Sequence, residues 1–102
     1  TQSLRLDGSN HAVWSNRSAA FLALGDAALA LRDAEICRRL KPDWPKACYR
    51  MAAARFALKQ YEDAALAAYE GLRVDPENEE LKRLLQKAVK LGRAEHQASL
   101  KR

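Results

Sequence analysis

Apolar residues recur along this chain at intervals of three and four, in stretches divided by short polar or proline-bearing breaks. Val13, Trp14, Ala20, Phe21 and Leu24 share helical spacing, so a helix is expected over 12–24, stopped by Gly25 and Asp26. A second is expected over 27–40. It ends at Lys41-Pro42-Asp43, because proline disfavours helix at the residue before it. Pro45 suits a first helical turn, where its missing N–H costs nothing, and a third helix is expected over 46–58. Its partner runs over 61–74, up to Asp75-Pro76. From 77 to about 97, Leu81, Leu84, Leu85, Ala88, Val89 and Leu91 form one apolar stripe between polar faces. That pattern suits a helix that closes the end of a stack.

The breaks themselves repeat. Pro42 precedes Pro76 by 34 residues, and the same shift lays Ala30 on Ala64, Leu40 on Val74, Ser18 on Ala52 and Ala20 on Ala54. It also lays Leu6 on Leu40 and Gly8 on Pro42, and LRLDGSN reads like LRVDPEN with glycine for proline. The register therefore covers the whole chain. A helix pair repeated at this period predicts an all-α solenoid in which each pair buries its apolar face on the next.

Composition agrees and narrows the function. Alanine, leucine, arginine, lysine and glutamate favour helix, and the 102 residues include only four glycines and three prolines. No apolar run approaches the roughly 20 residues that span a bilayer, so no membrane partner is expected. The opening TQSLRLDGSN has no signal-peptide core and no initiator methionine, which suggests an excised fragment. A net charge of +5 permits an acidic partner. Nucleic acid is not expected, because the cations are scattered without an interleaved aromatic platform. Cys37 and Cys48 stand eleven apart in separate helices with no CxxC or Cys/His cluster. Buried, reduced thiols in a cytosolic protein are therefore expected rather than a zinc site. Neither a nucleophile–base arrangement nor a phosphate loop is visible, and no enzymatic activity or cofactor is expected.

A helix–turn–helix of this period, with Ala30 and Ala64 at repeat position 20 and Pro42 and Pro76 at position 32, resembles the tetratricopeptide-repeat (TPR) family. Trp14 at position 4 and Phe21 at position 11 fit its pattern. Arg55 departs from it at position 11, as do Ala34 and Ala68 at position 24, where Tyr69 next door is expected to compensate. The resemblance implies the tail of a truncated preceding repeat at 1–10, full repeats at 11–44 and 45–78, and a capping helix with its tail at 79–102.

It also implies a use for Lys46 and Arg50, two cations one turn apart. In this family the first helix of each repeat lines a concave groove, and positions 2, 6, 9 and 13 face it. Lys46 is at position 2, Asn16 and Arg50 at position 6, and Ala19, Ala23, Ala53 and Ala57 at positions 9 and 13 leave the floor open. The segments WSNRSAAF and PDWPKACYR resemble those of co-chaperone domains with a carboxylate clamp. Such clamps grip the acidic EEVD tails of the seventy- and ninety-kilodalton heat-shock chaperones. Asn16, Lys46 and Arg50 correspond to three of its five members; the other two come from a preceding helix that this chain lacks. The chemistry suits the task. Arginine can meet a carboxylate bidentately, lysine adds a compact charge, and asparagine donates an amide N–H.

The segments KPDWPKACYR, AAYEGLRVDPENEEL and AVKLGRAEH further resemble the C-terminal TPR segment of plant proteins that carry ankyrin repeats upstream. That implies other partners through the upstream region and a cytoplasmic location. The alternative function is a scaffold that self-associates into a homodimer. It would do so through the open first repeat, around Leu4, Leu6 and the inner face of 12–24. Remaining residues read as structural. Trp44 is expected to pack between repeats, and Trp14, Phe21, Tyr49, Phe56, Tyr61 and Tyr69 in the core or helix seams. Glu62, Asp63 and Glu70 read as a solvated face, and His11 and His96 lack an evident acid–base partner.

Overall fold

The computed structural model of the chain describes residues 10–100. The expected remnant at 1–10, with Leu4 and Leu6, therefore lies outside the described residues apart from Asn10. Among the described residues five helices follow one another: α1 (His11–Ala23), α2 (Ala27–Leu40), α3 (Pro45–Ala57), α4 (Tyr61–Val74) and α5 (Glu79–Leu100). Each packs on the next, and α3 also touches α1 and α5. The result is an elongated stack of helix pairs, 55 × 28 × 18 Å.

Local chemistry starts each helix. The side chain of Asn10 accepts from the backbone N–H of Val13, that of Asp26 from Leu29 and that of Asn78 from Leu81. Each bond satisfies an N–H that has no partner inside its helix. α3 instead opens with Pro45 at its first position, behind Trp44. α4 starts after Gln60 without a side-chain cap, and carries Glu62 and Asp63 in its first turn, where they complement the helix dipole.

Small residues set the spacing. Ala30, Ala34, Cys37, Ala47, Cys48, Ala52, Ala54, Ala64 and Ala68 are all buried, so the helix backbones approach closely. α5 closes the stack by inserting Leu81, the largest fully buried side chain among the described residues, against Ala52, Ala67 and Ala68. Tyr49, Met51, Leu72, Leu84 and Leu85 pack around that cluster. Leu81 has room because residue 71 is glycine, as a Cβ there would stand 2.7 Å from Leu81 Cδ1 and 2.9 Å from Cys48 Cβ.

Two sequence expectations need correction. Tyr69 is not in the core or a seam: it is 55% exposed, and the cluster around Ala68 is completed by Leu81 instead. Its position, one residue past buried Ala68, turns the ring outward by about 100° of helix rotation. Glu70 is not on a solvated face, because it is half-buried and pairs with Arg38 of α2, whereas Asp63 stays exposed as expected, 3.7 Å from Arg55 of α3. Arg55 itself, out of place by the family pattern, is half-buried and bridges Asp63 to Glu35 of α2, 3.4 Å away. There a cation joins two repeats, where the pattern expects an aromatic.

Candidate peptide-binding groove

α1 and α3 are the first helices of successive pairs and lie against each other. The structure places Asn16 on α1 and Lys46 at the second residue of α3, both exposed. Arg50, one turn further along α3, is half-buried. Ala23 and Ala57 are exposed and Ala19 and Ala53 partly so, and at none of the four does anything larger than a methyl group stand on the surface.

Arg50 is held from two sides. Its Nε donates to Ser15 Oγ of α1 at 3.1 Å, and its guanidinium carbon lies 5.8 Å from the ring centroid of Tyr49. Because Ser15 directly precedes Asn16, that bond ties Arg50 to the stretch of α1 that carries Asn16. Lys46 keeps different company: its Nζ stands 5.9 Å from the centroid of Trp44, within reach of a cation–π contact. Trp44 in turn packs edge-to-face on His11 of α1, with centroids 4.6 Å apart, so the residue that precedes α3 is tied to the start of α1. Among the described residues no hydrogen bond or ion pair links Lys46 to Asn16 or Arg50.

Partnership separates Arg50 from similar residues. Among the described residues four arginines are half-buried: Arg17, Arg38, Arg50 and Arg55. Arg17 lies 3.1 Å from buried Asp33, Arg38 pairs with Glu70, and Arg55 with Glu35 and Asp63. Arg50 alone of the four has no carboxylate within ion-pair distance among the described residues. A guanidinium partly withdrawn from water and offered only a hydroxyl keeps most of its donors for an incoming anion.

The two thiols, Cys37 on α2 and Cys48 on α3, are both free and buried. Cys37 Sγ donates to the carbonyl of His11 at 3.3 Å. Burial pushes its pKa from the ordinary 9.0 up to about 11, against an opposing pull from the charge of Arg50. Burial likewise raises that of Cys48. Among the described residues no group of three His, Cys, Asp or Glu side chains could hold a metal ion, and no helix is long and apolar enough to cross a membrane.

Ser15 was not read from the sequence as part of the site. No spacing rule within one helix could have found it, because Ser15 and Arg50 stand 35 residues apart on different helices.

No protein-family model matches the chain. Individual proteins do. The Protein STIP1 homolog of Dictyostelium discoideum is 44% identical over 87 residues, which are 85% of this chain and 15% of that protein. The chain thus spans a small part of such relatives. Among solved structures, the first TPR domain of human RPAP3 superposes with a TM-score of 0.85 at 30% identity, over 89% of this chain and 72% of that one. The first TPR of Spaghetti (RPAP3), bound to the HSP90 peptide SRMEEVD, gives a TM-score of 0.79 at 32% identity, over 82% and 67%. Period, stacked helix pairs and these likenesses agree: the chain belongs to the tetratricopeptide-repeat family, and resembles the TPR domains of co-chaperones.

Proposed function

We propose that this chain is part of a protein–protein adaptor that binds acidic C-terminal peptides, of the EEVD kind carried by heat-shock chaperones. Asn16, Lys46 and Arg50 grip the terminal carboxylate and the neighbouring acidic side chain. Ala19, Ala23, Ala53 and Ala57 leave room for the peptide backbone. The observation that carries this reading is Arg50, half-buried yet without a carboxylate partner among the described residues. The SRMEEVD peptide held by a related domain supports the choice of ligand. Charge-assisted hydrogen bonds contribute roughly 1.5–3 kcal/mol each before water and salt reduce them. Two or three make a reversible site whose affinity falls as salt is added.

The finer resemblance extends the proposal to the parent protein: ankyrin repeats upstream bind a client while this domain tethers a chaperone in the cytoplasm.

The test is a calorimetric titration of SRMEEVD, beside its C-terminally amidated form and a Lys46→Ala/Arg50→Ala variant. Binding that requires both the free carboxylate and the two cations supports the clamp. Equal binding of the amidated peptide sinks it. The competing reading, self-association through the open first repeat, predicts a mass by light scattering that rises with concentration and a chain indifferent to the peptide.

A further inference from the structure

Arg50 has five N–H donors arranged in two forks, one formed by Nε with a terminal nitrogen and one by the two terminal nitrogens. Either fork can receive a carboxylate bidentately. In this structure the first is engaged, because Nε donates to Ser15 Oγ at 3.1 Å. Ser15 is fully buried on α1, a helix held in place by its packing on α2 and α3, so the acceptor is fixed to the scaffold. The ring of Tyr49 stands 5.8 Å from the guanidinium carbon, within reach of a cation–π contact.

We infer that Ser15 is a positioning residue for ligand recognition: it occupies the Nε donor of Arg50 and so presents the two terminal nitrogens, end-on, to the ligand's carboxylate. The inference rests on the function proposed above and assigns its geometry to a residue outside the clamp. A long arginine side chain loses rotamer freedom when it binds. Ser15 removes part of that freedom before the ligand arrives, which is preorganisation in the ordinary sense. It also sets selectivity. An arginine in the end-on mode receives a planar carboxylate in line with its own axis, whereas an amide, with one acceptor oxygen, can use only half the fork.

Two measurements on the intact chain test this. The first is the side-chain Nε–Hε resonance of Arg50, assigned by its loss in Arg50→Ala. In the wild-type chain it should be protected from exchange with solvent, and in Ser15→Ala exchange should speed up by about tenfold, as for a donor returned to water. The second is the affinity for SRMEEVD in a double-mutant cycle. Ser15→Ala should weaken binding about fivefold in the wild-type background, in line with one hydrogen bond's worth of lost positioning, and have no effect in the Arg50→Ala background. A purely structural role for Ser15 predicts equal losses in both backgrounds and a lowered Tm, and that result overturns the inference. So does peptide binding by the wild-type chain that Ser15→Ala leaves unchanged, which spares the proposed function. Absence of SRMEEVD binding by the wild-type chain, followed through Arg50 shifts at high peptide concentration, overturns the function and this inference with it.

Discussion

Gly25 and Lys59, one repeat period apart, both hold the left-handed backbone, at φ 87° and 64°. Their surroundings match bond for bond. Gly25 N–H donates to Leu22 and Asp26 N–H to Phe21, at 3.0 and 2.9 Å; Lys59 and Gln60 donate to Phe56 and Arg55 at the same two distances. This crossed pair of bonds closes the first helix of each repeat and reverses the chain into the second. One turn is built with glycine, which enters this region freely, and the other with lysine, whose Cβ crowds the backbone there.

Lys59→Gly should therefore stabilise the chain, by about 0.5–1 kcal/mol after the extra freedom of the unfolded glycine is subtracted. Gly25→Ala should destabilise it by about 1 kcal/mol, through backbone strain alone, since nothing lies within 4 Å of the added Cβ. Urea unfolding of both variants reads the two signs. A stabilised Gly25→Ala would mean that the first turn is not left-handed.

Gly71 poses a packing test. An added methyl would stand 2.7 Å from Leu81 Cδ1 and 2.9 Å from Cys48 Cβ, and the second contact cannot be relieved by rotating a long side chain. Gly71→Ala should cost about 1–3 kcal/mol, despite alanine's better helix propensity. Pairing it with Leu81→Ala should recover only the part due to Leu81, so the two effects should be non-additive in a denaturant cycle.

Asp33 is 0% exposed, with Arg17 Nε 3.1 Å from one oxygen and Arg32 Nε 3.5 Å from the other. Arg17 is the better covered of the two cations and lies 5.7 and 5.3 Å from the ring centroids of Trp14 and Phe21. Arg17→Met should cost about 2–3 kcal/mol, because it strands a buried carboxylate. Arg32→Met should cost less than about 1 kcal/mol, as for a solvated pair. Thermal unfolding of the two variants should rank them in that order; the reverse order would make Arg32 the structural partner.

The thiols give a pH dependence. Burial raises the pKa of Cys37 from 9.0 to about 11 in the folded chain. Below the ordinary value the thiol is protonated in both states and its contribution is fully present. As pH rises through the window between these values the unfolded chain loses its proton first, so stability falls. Relative to a Cys37→Ala variant, the wild-type chain should lose up to about 2 kcal/mol over that interval. Both thiols should also resist an aromatic disulfide reagent at pH 8 until the chain unfolds.

Helix extent was legible because its signals are local. Apolar spacing and the prolines beyond give helices 27–40 and 61–74 at their observed bounds. The other two repeat helices begin and end one residue earlier than expected, the usual latitude at a helix end. α5 starts at Glu79, two residues later than expected, because Asn78 caps it. For the candidate groove, counting along the repeat names Asn16, Lys46, Arg50 and the four alanines, and of these the structure leaves Asn16, Lys46, Ala23 and Ala57 exposed. The hydroxyl behind Arg50 was not legible, because Ser15 and Arg50 are 35 residues apart and belong to different repeats. No spacing rule within one helix relates them.

What the sequence determined alone was thus the period, the helix pairs and the turns, all decided by forces that act within a few residues. Tertiary structure decided which side chains meet across helices. Arg55 finds Glu35 and Asp63, Arg38 finds Glu70, Arg50 finds Ser15, and Tyr69 is left facing water. The reason is distance. Buried alanines and Gly71 bring the helices close enough that one methyl group more or less changes which neighbour a side chain can reach, and that closeness exists only once the stack has formed.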